Sequence, residues 1–120
     1  MSLTAKRVLI IEEHGFSRIC SALLELNGFR TTCMQDVPAP VDLNQMGEFG
    51  LAVVSYPYGA AALELLRQTN LPLLILSDSL SECLLNVLKK SRNYYFMSKP
   101  LDYEQFNSFV RGILTDQIAE

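Results

Sequence analysis

Few of the features that mark a metal protein, a secreted protein or a nucleic-acid binder are present in this sequence. It has one histidine in 120 residues. That residue, His14, stands beside Glu12 and Glu13 with no other close ligand, so it reads as a loop residue rather than a metal ligand. The three cysteines (Cys20, Cys33 and Cys83) are odd in number, far apart and set in apolar segments. They exclude a disulfide frame and a thiolate zinc site, and read as reduced core thiols in a cytoplasmic protein. No apolar run is long enough to span a bilayer, and the amino terminus lacks a basic-then-apolar signal pattern. Basic side chains are outnumbered, 10 against 13, giving a net charge of −3 and a pI near 5.1. A chain so charged has no broad footprint for a phosphate backbone, which argues against direct nucleic-acid binding. The small-residue stretch Gly59-Ala-Ala-Ala62 lacks the spacing of a phosphate-cradling loop and reads as helix.

What is present is the composition of an ordinary core, 49% hydrophobic and 19% charged. A chain of this length forms one domain, 1–120, burying roughly two-thirds of its unfolded surface. Residues 1–6 and 115–120 read as frayed ends or linker. Its centre is Leu51-Ala-Val-Val-Ser-Tyr-Pro57, an apolar run without alternation, as expected of a strand buried on both faces of a parallel sheet. Arg7–Ile11 and Pro72–Ser77 have the same character, Arg30–Met34 suits an edge strand, and Tyr94–Met97 makes a fifth. Between them lie helical patterns. Phe16, Ile19, Cys20, Leu23 and Leu24 form one stripe ended by Gly28, and a short helix is expected near Val41–Met46 after Pro38 and Pro40. Ala60–Thr69 follows. A capping box, Ser79-Leu-Ser-Glu82, opens a fourth helix that buries Leu80, Cys83, Leu84, Val87 and Leu88. Asp102 caps a fifth, with Phe106, Phe109, Val110, Ile113 and Leu114 inward.

Five strands alternating with five helices imply an α/β fold: a flavodoxin-like (βα)5 three-layer sandwich around a parallel five-stranded sheet of order 2-1-3-4-5. In such folds ligands sit at the carboxyl ends of the strands, at the topological switch point. Glu12 and Glu13, Ser55, Ser77 and Lys99 would converge there.

That constellation resembles the receiver domain of two-component response regulators, over essentially the whole chain. The family has an acidic pair after the first strand, a phosphoacceptor aspartate after the third, Ser or Thr after the fourth and Lys-Pro after the fifth. Phe96 stands where the family places its switch aromatic, and Phe96-Met-Ser-Lys-Pro-Leu101 is similar to the family's Tyr-Leu-Thr-Lys-Pro-Phe. The resemblance implies Mg²⁺ on the acids, phosphoryl transfer from a kinase histidine to the aspartate, and a hydroxyl and a lysine holding the phosphoryl oxygens. Catalysis of this kind is positioning and charge neutralisation.

Three departures stand against that chemistry. Ser55 occupies the acceptor position and has no adjacent base. Glu12 and Glu13 replace aspartates, and with the third carboxylate gone they are weak candidates for Mg²⁺, whose octahedral geometry is demanding. Pro57 follows Ser55 by two residues where the family has four. The expectation is a pseudo-receiver that is not an enzyme, has no cofactor, and pairs Lys99 with a glutamate. Asp78 is a poor substitute acceptor because it follows Ser77 and points away from the pocket. Such a domain works through a protein partner, either a histidine kinase or an attached output domain. The expected surface is Leu85, Tyr94, Tyr95 and Tyr103, on the face of the fourth helix, fifth strand and fifth helix, which would also serve a homodimer. The alternatives are a flavodoxin-like cofactor or ligand binder using the same switch point, and a weakly active receiver with a non-standard acceptor.

Overall fold

The structure, a computed structural model, describes residues 6–35 and 47–119, with side chains to Thr115. Its strands are β1 (Arg7–Ile11), β2 (Thr31–Cys33), β3 (Phe49–Ser55), β4 (Leu73–Ser77) and β5 (Tyr94–Ser98). They form one parallel sheet of order β2-β1-β3-β4-β5, as the sequence pattern predicts. Among the described residues four helices cover it: α1 (His14–Leu26), α2 (Ala60–Leu66), α3 (Glu82–Leu88) and α4 (Tyr103–Ala119). The short helix expected near Val41–Met46 lies outside the described residues.

All seven residues of β3 are buried. Alternate side chains feed two separate cores. Ala52 and Val54 join Leu9, Ile11, Leu63, Leu66 and Ile75 on the α2–α3 side. Leu51 and Val53 join Val8, Ile10, Cys20, Leu24, Phe106, Val110 and Leu114 on the α1–α4 side. Two layers of helix are therefore required to cover one strand.

Helix ends follow local chemistry. Gly28, at φ +90°, closes α1 in a Schellman motif, with Phe29 N–H donating to Leu24 O at 3.0 Å and Gly28 N–H to Glu25 O at 3.1 Å. Asp102 caps α4, its Oδ1 accepting from Glu104 N at 3.0 Å and Gln105 N at 3.1 Å. The capping-box reading of α3 is displaced by two residues. Ser81, not Ser79, is the N-cap, and its Oγ accepts from Leu84 N at 3.1 Å. Starting later, α3 is only two turns long and buries Leu84 alone; Leu80 and Cys83 are exposed, and Val87 and Leu88 are half-buried.

Other expectations are also corrected. Ile19 is 44% exposed and Leu23 half-buried, because α1 presents Ser17, Cys20 and Leu24 to the sheet instead. Cys33 and Cys83 are exposed free thiols; only Cys20 is a core thiol. α2 ends at Leu66 rather than Thr69, and α4 stays helical to Ala119 where the sequence suggests fraying from Thr115.

The loop from β3 to α2 is tight. Gly59 N–H donates to Ser55 O at 2.7 Å, and the Tyr56–Pro57 peptide is cis, as is Lys99–Pro100. A Cβ on Gly59 would lie 2.6 Å from Val54 Cγ1 and 2.9 Å from Ser55 O. One contact is backbone and the other a buried branched side chain, so neither yields cheaply. Gly59→Ala is expected to destabilise the domain by about 1–3 kcal/mol, read as a lower urea midpoint at unchanged m-value. An unchanged midpoint would mean that the loop relaxes freely.

Candidate functional site at the carboxyl edge of the sheet

The sheet register builds this site. Ile11 pairs with Val54, which brings Glu12, the next residue after β1, beside Ser55 at the end of β3. Lys99 follows β5 at once, and its backbone N–H donates to Ser77 O at 2.9 Å, which anchors the chain at the end of β4. From there its side chain reaches across two strand ends to Glu12.

Nζ of Lys99 lies 3.2 Å from Glu12 Oε1 and 3.1 Å from Oε2. Only the first is an aligned hydrogen bond, so Oε2 is held by charge without a hydrogen-bond donor. Oε1 also accepts from the backbone N–H of Glu13 at 2.9 Å. The same ammonium donates to Ser55 Oγ at 3.2 Å and stands 4.9 Å from the centroid of the Phe16 ring. The Glu12 side chain is 0% exposed and that of Lys99 22%. A carboxylate so buried requires a cation, and this one meets a cation that is also hydrogen-bonded and covered by an aromatic face. Below it, burial together with the Glu12 charge pushes the Cys20 thiol up to about 12, so it stays protonated at neutral pH.

The remaining predicted residues are placed differently. Glu13 is exposed and occupies the N-cap of α1 without a side-chain cap bond, and His14 and Asp78 are exposed as well. Ser77 is buried, but its Oγ takes only a long 3.5 Å contact from Ser79 N and does not bond Lys99. Phe96 is half-buried and packs against the α2–α3 core. On the expected interaction surface Leu85 and Tyr103 are exposed, 38% and 46%. Tyr94 and Tyr95 are half-buried: Tyr94 packs against the α2–α3 core, and Tyr95 meets Phe109 edge-on at 5.0 Å between centroids. Phe16 was placed by its periodicity in the core stripe; nothing in the spacing points to its position over Lys99.

Mg²⁺ at this edge would need several oxygen ligands in octahedral array. Glu12 is tied to Lys99, Ser55 is neutral and Glu13 faces solvent; among the described residues no three His, Cys, Asp or Glu side chains come together. This donor set does not fit the ion.

No family model and no curated protein matches the sequence. Solved structures do match it. A CheY-like response regulator receiver domain from Methanospirillum hungatei JF-1 superposes with a TM-score of 0.75 at 16% identity, over 95% of this chain and 97% of that one. The orphan response regulator HP1043 of H. pylori gives 0.72 at 16% identity, over 92% and 97%. A member of a family of streptococcal redox sensors evolved from two-component response regulators gives 0.73 at 19% identity, over 93% of this chain and 52% of that one. The chain has the fold of the response-regulator receiver domains. No described helix is long and apolar enough to cross a membrane.

The ion pair predicts an asymmetric response to mutation. Lys99→Met leaves Glu12 buried without a counter-charge and should cost about 3–5 kcal/mol. Glu12→Gln introduced with Lys99→Met should recover most of that loss in chemical denaturation. Two independent losses that simply add would show that the two side chains are not coupled.

Proposed function

We propose that this chain is a receiver-fold module of two-component or phosphorelay signalling that does not take up a phosphoryl group and acts by binding a protein partner. The observation that carries the reading is the state of Lys99. In the family it resembles, this lysine holds a phosphoryl oxygen; here its ammonium is already bonded to Glu12 and to Ser55, the residue at the acceptor position. The pocket is closed on itself, with a hydroxyl where the nucleophilic carboxylate would stand. Mg²⁺ has no part in this reading. The partner is a histidine kinase or an attached output domain, docked in a constitutive state.

Docking is assigned to the face that carries α3 and the start of α4. Leu85 and Tyr103 supply exposed apolar surface there, Leu80, five residues before Leu85, is 47% exposed, and Lys89 and Lys90 add basic charge. Tyr94 and Tyr95 line its edge as half-buried side chains rather than as free anchors. Because Tyr95 packs edge-on against Phe109, its removal would damage the fold as well as the surface.

The pocket and the surface are tested separately. Incubation with acetyl phosphate and Mg²⁺ should leave the intact mass unchanged, and millimolar Mg²⁺ should leave the melting temperature unchanged, since stabilisation by a ligand scales with RT ln(1 + [L]/Kd). Ser55→Asp should lower the metal-free stability by setting a second carboxylate against one lysine, and should make the protein respond to Mg²⁺. A gain of one phosphate by the unmodified chain overturns the proposal. For the surface, Leu85→Glu with Tyr103→Ser should abolish capture of the kinase or output domain at unchanged circular dichroism; capture that survives places docking elsewhere.

A further inference from the structure

The most exposed large apolar side chain among the described residues lies away from the pocket and from the α3 face. It is Leu26, 85% exposed, in the last turn of α1. Ile19, two turns earlier, is 44% exposed, and Gly15 and Ala22 between and before them are exposed too. At 100° per residue these four fall within about 60° of helix surface. Half-buried Phe16 and Leu23 border the stripe on one side, Arg18 and Glu25 on the other, and the opposite side of the helix (Ser17, Cys20, Leu24) is buried against the sheet. The helix therefore has a second apolar face, uncharged along its length and exposed among the described residues.

The order along this face is small, large, small, large: Gly15, Ile19, Ala22, Leu26. We propose that it is covered by α1 of a second copy of this chain, packed antiparallel about a two-fold axis. In that arrangement Gly15 comes level with Leu26 of the second copy and Ile19 with its Ala22, so each large side chain meets a small one, and the two-fold repeats every contact. Space is available at the critical position, because a Cβ on Gly15 would meet nothing within 4 Å. Charge agrees with the register. Arg18 and Glu25 lie on one flank, and in an antiparallel pair like flanks face each other. Arg18 then meets Glu25 of the second copy, about 3 Å out of level, and the contact occurs twice. A parallel pair would set large against large and leave both charges without an opposite partner. Glu25 Oε2 accepts from Thr31 Oγ1 at 2.6 Å, which steadies the carboxylate and leaves lone pairs for the arginine.

A contact made by one helix from each copy buries less than the roughly 1,200–2,000 Å² of a standard interface, so the dimer is weak and forms at high concentration. Sedimentation equilibrium across a wide concentration range should show reversible monomer–dimer association of the unmodified chain. Leu26→Glu should weaken it by about tenfold or more through a buried, unpaired charge. Gly15→Leu should do the same by filling the recess, while the open space at Gly15 and its helical position keep the monomer's melting temperature at or above that of the unmodified chain. Arg18→Glu should weaken association, and adding Glu25→Arg should restore it. Leu85→Glu, on the other layer, should leave association unchanged. A chain that remains monomeric throughout, a dimer indifferent to Leu26→Glu or to Gly15→Leu, a charge exchange that fails to restore, or a dimer dispersed by Leu85→Glu would each overturn the proposal.

Discussion

A carboxylate with no exposed surface must be matched by a cation, and in this protein the match spans the sheet. Glu12 follows β1 and Lys99 follows β5, 87 residues later, with β3 and β4 between those strands. The two side chains meet over the carboxyl edge only when four strands are in register and the crossovers have placed β1 inside the sheet. The pair therefore depends on the placement of all four strands, and it ties the end of β1 to the end of the edge strand β5. Desolvation limits what such a pair adds to net stability, but its loss on one side is costly. Phe16 covering the ammonium and the Glu13 amide bonding Oε1 make the arrangement specific to Glu12 rather than to its neighbour.

In the pocket, the same pair sets one ammonium against one buried carboxylate. A receiver pocket that holds three carboxylates against one lysine is short of positive charge and requires a cation. Here one buried carboxylate faces one ammonium, and the hydroxyl of Ser55 accepts a second hydrogen bond from it at 3.2 Å. Ser77 is buried beside them but bonded elsewhere. On the proposed reading the one ammonium of the pocket is already engaged by Glu12 and Ser55, so it is not free to hold a phosphoryl oxygen.

The inner strands were legible because their chemistry is unambiguous. Leu51–Ser55 and Leu73–Ser77 are apolar on both sides, and only a covered parallel sheet satisfies that; the strand order and the convergence of Glu12, Ser55 and Lys99 follow from it. Helix faces were legible only as to existence. In α1 the centre of the apolar stripe of Phe16, Ile19, Cys20, Leu23 and Leu24 is turned roughly 60° from the arc that is buried, because Ser17 and Cys20, both small, let the helix approach the sheet on that side. Three serines, Ser77, Ser79 and Ser81, lie within the five residues before α3, and two can cap it; geometry at the end of β4 selects Ser81, which shortens the helix and leaves Leu80 and Cys83 in solvent. The inward turn of Glu12 rather than Glu13, and the placement of Phe16 on Lys99, depend on how α1 leaves the sheet, which no local pattern encodes.

The displaced face of α1 and the shortened α3 have a common consequence. Each leaves apolar surface that a full amphipathic match would have buried, and the two lie on opposite layers of the sandwich, since α1 packs with α4 on one side of the sheet and α2 with α3 on the other. The docking face reaches from α3 onto the start of α4, in the layer of α1, but its Leu85 side lies on the layer opposite α1. Self-association through α1 would leave the Leu85 surface of each copy turned away from the two-fold axis. The antiparallel register would also send the two pockets to opposite ends of the dimer, because the amino end of each α1 adjoins its own Glu12. A receiver-fold chain whose pocket is locked by an ion pair would then pass on no change of state; it would supply geometry, two partner sites held at a fixed spacing by a weak helix pair. Association would depend on the amount of protein present, since concentration sets the position of a monomer–dimer equilibrium.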